Sequence, residues 1–148
     1  MFAKPLVVST SALLLVALSA CASFASLRAD DGSLPDCGTS PNCVSSTATD
    51  SDRQVEPLRY TGSREAAQRA MAKIIGRMRG GEVVENAPGY MRVEFTSQVF
   101  QFVDDVQFVF QNDRTIQVRS ASRSGYYDLG VNRKRVEDIR QAFDAIQP

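Results

Sequence analysis

Apolar residues recur at helical spacing through Ala67, Met71, Ile74 and Met78. This pattern predicts an amphipathic helix from an N-cap at Ser63 to Arg79, ended by Gly80 and Gly81. Beyond the glycines the period falls to two, and strands are predicted at Glu82 to Asn86, Tyr90 to Thr96, Val103 to Gln111 and Thr115 to Ser120. Pro88-Gly89 and Asn112-Asp113 supply turns. A further short strand is read at Val55 to Tyr60. Helical spacing returns after Asn132, with Val136, Ile139, Phe143 and Ile146 on one side and Asn132 as the expected cap.

Alternation gathers Met91, Val93, Phe95, Val106, Phe108, Phe110, Ile116 and Val118 on one sheet face, which two helices can cover. The expected fold is α+β, a two-layer sandwich of an antiparallel sheet of four to five strands with both helices on one face. The other face receives Arg92, Glu94, Asp105, Gln107, Gln117 and Arg119, read as a solvated, cross-paired ladder. Asp104 and Asp105 are neighbours on a strand and point to opposite faces, so they cannot share one site as acid and base. Asp104 has the parity of Val106 and Phe108, and a carboxylate turned towards the helices needs a fixed partner. An arginine is expected there.

The front of the chain reads differently. Lys4 followed by Leu6 to Ala17, apolar apart from Ser9, Thr10 and Ser11, has the form of an export signal, too short to span a membrane comfortably. Leu18-Ser19-Ala20-Cys21 resembles the bacterial lipobox, which implies cleavage before Cys21 and a diacylglyceryl group on its sulfur. An ordinary secretory signal with a chance cysteine is the alternative. Acyl chains on Cys21 would anchor the protein to a membrane. Ala22 stands where an aspartate would retain a lipoprotein at the inner membrane, so the periplasmic face of the outer membrane is expected. Residues 1–20 are thus a signal peptide, 21–53 a lipidated tether of small, polar and turn-forming residues, and 54–148 a single α+β domain. Cys37 and Cys43 lie close in sequence within an exported chain and are most simply a disulfide, inert thiols being the other reading.

Composition narrows the chemistry. Basic and acidic residues balance at 17 each, which argues against a nucleic-acid partner. Only Lys4, Lys73 and Lys134 are lysines, and the arginine excess points to fixed pairs with carboxylates or phosphates. Histidine is absent, which removes the usual general base and the commonest metal ligand. Neither metal nor cofactor is expected.

Cations gather in the stretch Gln117 to Arg135, where Arg119, Arg123, Arg133, Lys134 and Arg135 stand against Asp128. Arg133, Lys134 and Arg135 occupy the first helical turn, where the macrodipole already favours anions. Something negative is needed there. It is either internal, from Asp104, Asp105 and Asp128 as a structural charge network, or a ligand held by arginine forks and the hydroxyls of Ser120 and Ser122 at the helix start.

The segments SPNCVSS, FVDDVQFVF, IQVRSASRSGYYDLGVNRKRV and EDIR resemble, in order, the signature blocks of the bacterial and chloroplast family called domain of unknown function 1499. Asp104, Asp105, Arg119, Ser120, Ser122, Arg123, Asp128, Asn132, Arg133 and Arg135 fall on its positions. Tyr127 and Gln107 depart from it. The resemblance implies no reaction. The leading expectation is an envelope protein that binds an anionic partner, either a glycolipid, an envelope polymer or an acidic protein surface, through Arg119, Ser120, Ser122, Arg123, Asn132, Arg133 and Arg135. The alternative is a scaffold lipoprotein whose arginines only hold the fold. An enzyme using Asp104 or Asp128 as base stands third.

Overall fold

The computed structural model describes Ala29 and residues 31–146. The expected signal peptide, the lipobox and Cys21 lie outside the described residues. Six strands and two helices follow in the order β1 (Cys43–Ser45), β2 (Leu58–Arg59), α1 (Arg64–Ile75), β3 (Gly81–Ala87), β4 (Tyr90–Thr96), β5 (Val103–Phe110), β6 (Thr115–Ser122) and α2 (Val131–Asp144). The fold is α+β with an open antiparallel sheet in the order β1-β6-β5-β4-β3, and β2 also pairs with β6.

Ser63 caps α1 as its sequence position predicts, its hydroxyl accepting from the Ala66 amide at 3.1 Å. The helix stops at Ile75, four residues before Arg79. Gly76 is a poor helix former, and the amides of Arg77 and Met78 bond back only three residues, to Ile74 and Ile75, in a tighter turn. Gly80 then turns the chain at φ +78, where an added Cβ would meet the Thr96 carbonyl at 2.5 Å. Only glycine lets β3 begin so close to the end of β4.

Strand β4 lies as predicted, β5 ends one residue early at Phe110, and β6 runs two residues beyond Ser120. Cross-strand pairs such as Met91 with Phe108 and Phe108 with Val118 put the predicted apolar residues on one face. They join Met71, Ile75, Val136, Ile139 and Phe143 of the two helices in one core cluster. At the far edge β3 is blunted by a bulge between Val83 and Glu85 and by its glutamates.

The sheet has six strands rather than four to five because its other edge is doubly covered. Strand β1 pairs residues 43–45 with 119–121, and β2 pairs Leu58 with Ile116 and Arg59 with Thr115. The composition of 21–53 predicts a tether, yet Cys43–Ser45 is buried sheet. A disulfide joins Cys37 to Cys43, Cα atoms 5.5 Å apart, and packs with Ala121 as a second small cluster. Replacing Cys43 by Ser is expected to lower stability by about 2 kcal/mol through the freed loop. Reduction of the native chain should give a similar loss in urea denaturation, and reduction of the variant no further one.

The second sheet face is not the solvated ladder that alternation suggests. Arg92, Asp105 and Gln107 are buried there, as is Tyr90. Leu34 and Cys37 from the leading segment are buried too, and Ser33 and Leu34 border a hollow with Val109 and Gln117. Polar residues on this face are cross-paired, which is why they tolerate burial.

Candidate functional site

The residues of the arginine stretch divide between the two faces of the sheet. Strand β6 runs two residues beyond its predicted end, so parity continues: Arg119, Ala121 and Arg123 follow one face, Ser120 and Ser122 the other.

On the second face Asp105 is the centre. Arg123 reaches it in a fork, Nε to Oδ2 at 2.7 Å and Nη2 to Oδ1 at 2.8 Å, and also meets Glu94. Arg92 lies 3.3 Å from the same carboxylate, 3.0 Å from Glu94 and 3.7 Å from Glu85. Two arginines and three acids thus form one network. The Asp105 and Glu94 carboxylates hold the Arg123 guanidinium firmly in its charged form. Arg119 is a separate case: it donates to Gln107 Oε1 at 3.2 Å, and Gln107 donates to the Tyr90 hydroxyl at 3.1 Å. Burial pushes the Arg119 guanidinium below its usual range, with Asp105, Asp36 and Tyr90 opposing.

On the helix side Asp104 has the expected arginine, receiving Arg135 Nη2 at 2.5 Å. Arg135 lies with its Cζ 5.0 Å from the Phe95 ring centroid and donates to Asn132 Oδ1 at 2.7 Å. Asn132 is fully buried. Its Oδ1 also accepts from the Ser120 hydroxyl at 2.6 Å, and its Nδ2 lies 2.9 Å from the Asn42 carbonyl, 3.0 Å from Ser122 Oγ and 2.8 Å from Asp128 Oδ2.

Asn132 is therefore not the cap of α2, as its position suggests. The N-cap is Gly130, left-handed at φ 78 and without a capping side chain. Asp128 does the work instead, accepting from the Gly130 amide at 3.0 Å and the Asn132 amide at 2.8 Å. The anion that the first turn calls for is this carboxylate, well placed for the helix dipole. Asn132 sits two residues past the N-cap, inside the first turn, and serves as a hub between β1, β6 and α2.

The remaining cations are also placed. Lys134 pairs with Asp138 on the surface at 2.7 Å. Arg133 donates to the carbonyls of Gln54 at 2.8 Å and Asp52 at 2.7 Å. Arg140 grips the carbonyls of Pro57 and Glu56, and Arg53 those of Gly38 and Thr39. The arginine excess foretells fixed pairs, and these three hold main-chain carbonyls, Arg140 and Arg53 also meeting the carboxylates of Glu137 and Asp50. Forks of two donors suit neighbouring carbonyls as they suit carboxylates.

Sequence reasoning missed a cleft of about 320 Å³ beside this network. Arg79, Lys134 and Arg135 line it with Asp138, over an apolar floor of Phe95 and Met78. Arg79 is exposed and donates to Gln98 Oε1 at 3.1 Å. Its place beside the Gly80-Gly81 turn, at the same sheet end as α2, was the available sign.

No helix among the described residues is long and apolar enough to cross a membrane, and no group of three or more potential metal ligands occurs among them. What these elements define is a small α+β domain whose leading segment is stapled, paired and gripped onto its own sheet. The model of a family described as protein of unknown function (DUF1499) matches residues 33–143, and the chain belongs to that family. Neither a curated protein nor a solved structure matches it.

Proposed function

We propose that this chain is a lipid-anchored protein of the bacterial cell envelope, held by Cys21 on the periplasmic face of the outer membrane, whose domain binds an anionic envelope ligand. The binding place proposed here lies one step from the arginine stretch. Arg123 is committed to Asp105 and Glu94, Arg119 to Gln107, Arg133 to carbonyls and Arg135 to Asp104, whereas Arg79 and Lys134 are exposed beside the cleft that Arg135 also lines. Arg135 is paired with Asp104 and Lys134 with Asp138, so Arg79, bonded to the neutral Gln98, is the cation that carries this reading. A phosphate or carboxylate head fits the charge, and the Phe95 and Met78 floor suits an attached apolar chain.

Dihexanoyl phosphatidylglycerol below its micelle concentration is the probe. Calorimetric titration should show binding, and the pair of charge reversals Arg79→Glu and Lys134→Glu should weaken it about tenfold or more. Both residues are exposed, and Lys134 has only a surface pair, so the melting temperature should stay near the native value. Absent binding, or binding indifferent to the reversals, overturns the reading.

The scaffold alternative draws support from the internal pairing of Asp104, Asp105 and Asp128, which gives the arginine stretch a fold-holding role. Arg92 and Gln107, both buried, would not themselves form its contact surface.

A further inference from the structure

Nine large apolar side chains are exposed among the described residues, and seven of them lie between Val99 and Val131. They belong to two loops and the first residue of α2. Both loops leave the same end of the sheet, since Thr96 pairs with Val103, Asp104 pairs with Ser122, and the Arg123 amide bonds the Val103 carbonyl. A concentration of this kind on one end marks an interaction surface.

The exposure is built in. The 97–102 loop closes on itself: the Ser97 amide bonds the Phe102 carbonyl at 2.9 Å, the Ser97 hydroxyl accepts from the Phe102 amide, and Gln101 donates to the carbonyls of Ser97 and Gln98. Val99 and Phe100 stand at the tip, with Phe100 stacked on Phe102 at 5.6 Å between centroids. In the second loop Leu129 is 83% exposed and left-handed at φ 56, held out between Asp128 and Gly130. A non-glycine residue in that conformation is uncommon. Tyr126 and Tyr127 precede it, both exposed.

We propose that this end of the domain inserts shallowly into a lipid bilayer bearing anionic headgroups. Phenylalanine, leucine and valine at loop tips enter the acyl boundary, and tyrosines, apolar in body and polar at the tip, settle at the interface. Exposed Arg79 and Lys134 at the same end are placed to meet headgroup phosphates. The 97–102 loop, closed by its own hydrogen bonds, can leave water at lower cost than an open one. Chain length permits it: the ten residues from Cys21 to Asp31 reach at most about 35 Å, whereas the eight-residue strand β5 is about 27 Å long. The leading segment meets the sheet near Val109 and Gln117, the opposite end, so an anchored chain still lets the apolar end touch the same membrane. The proposal takes its membrane from the envelope reading but needs no ligand in the cleft.

The chain has no tryptophan, so a single one reports its own depth. Full chains carrying Phe100→Trp, Tyr127→Trp or, at the opposite end, Asn112→Trp would be reconstituted in phosphatidylethanolamine–phosphatidylglycerol vesicles with and without brominated acyl chains. Insertion predicts about twofold or greater quenching and a blue-shifted emission for the first two, and neither for the third. Equal quenching at all three positions, or none at any, overturns it. An emission shift that follows protein concentration without lipid would make this end a contact between copies, and overturns it as well. Quenching without dihexanoyl phosphatidylglycerol capture would sink the cleft reading alone, and capture without quenching the bilayer alone.

Discussion

Asp105→Ala is expected to cost about 3–5 kcal/mol of folding stability, whereas Arg123→Ala, which removes its forked partner, should cost less than about 1 kcal/mol. The asymmetry follows from burial. Asp105 is 4% exposed and serves both Arg92 and Arg123, and its loss leaves Arg92, a residue 9% exposed, with only glutamates towards the rim. The Arg123 side chain is 39% exposed and turns to water when its partner goes, while in Arg123→Ala the Asp105 carboxylate keeps Arg92. Asp105→Asn should fall between, since an amide oxygen still accepts from a guanidinium. Urea denaturation with an unchanged m value checks all three. Equal losses for Asp105→Ala and Arg123→Ala would show that the network does not hinge on the carboxylate.

Asn132→Ala should cost about 3 kcal/mol, because it strips partners from several groups in a closed interior at once. Ser120, Arg135 and the Asn42 carbonyl each lose a bond. Asn132→Asp is the sharper variant. At a helix N-cap asparagine and aspartate are nearly equivalent, so a capping residue would accept the change with little loss. Here a carboxylate would have no hydrogen to give the Asn42 carbonyl and would face Asp128 Oδ2, which now lies 2.8 Å from Nδ2. A loss comparable to that of the alanine variant is expected, and a neutral Asn132→Asp would return Asn132 to the role of cap.

Much of the fold was legible because its main elements are long enough to show a period. Strand β4 coincides with its predicted bounds, and the parity of Asp104 with Val106 and Phe108 foretold a buried carboxylate with an arginine upon it. Strand β1 was not legible. Three residues cannot display alternation, and Cys43-Val44-Ser45 sits in a stretch of small polar residues whose order comes from β6, a distant partner. The second face misled for a related reason. Arg92, Asp105 and Gln107 look like a wet ladder in sequence, because nothing local says that their mutual pairing and the leading segment close them off.

The candidate site was half legible. Mismatch between the first turn of α2 and its three cations correctly demanded an anion, and Asp128 was among the residues named for it. The run of charge hid the division of its members between two faces, which depends on β6 continuing past Ser120. Phe100, Phe102 and Leu129 drew no attention, being isolated between elements. Their exposure is a property of loops closed by backbone hydrogen bonds, invisible to periodicity.

Strand β6 imposes a timetable on the newborn polypeptide. Its partners β1 and β2 leave the ribosome first, and Ser46 meets Val118 across a separation of 72 residues. Until that late hairpin emerges, the early segment has no sheet to join. Its cysteines, six positions apart, need not wait. Their bond needs no downstream strand, so it can be among the earliest native features and the sheet's outer edge among the last.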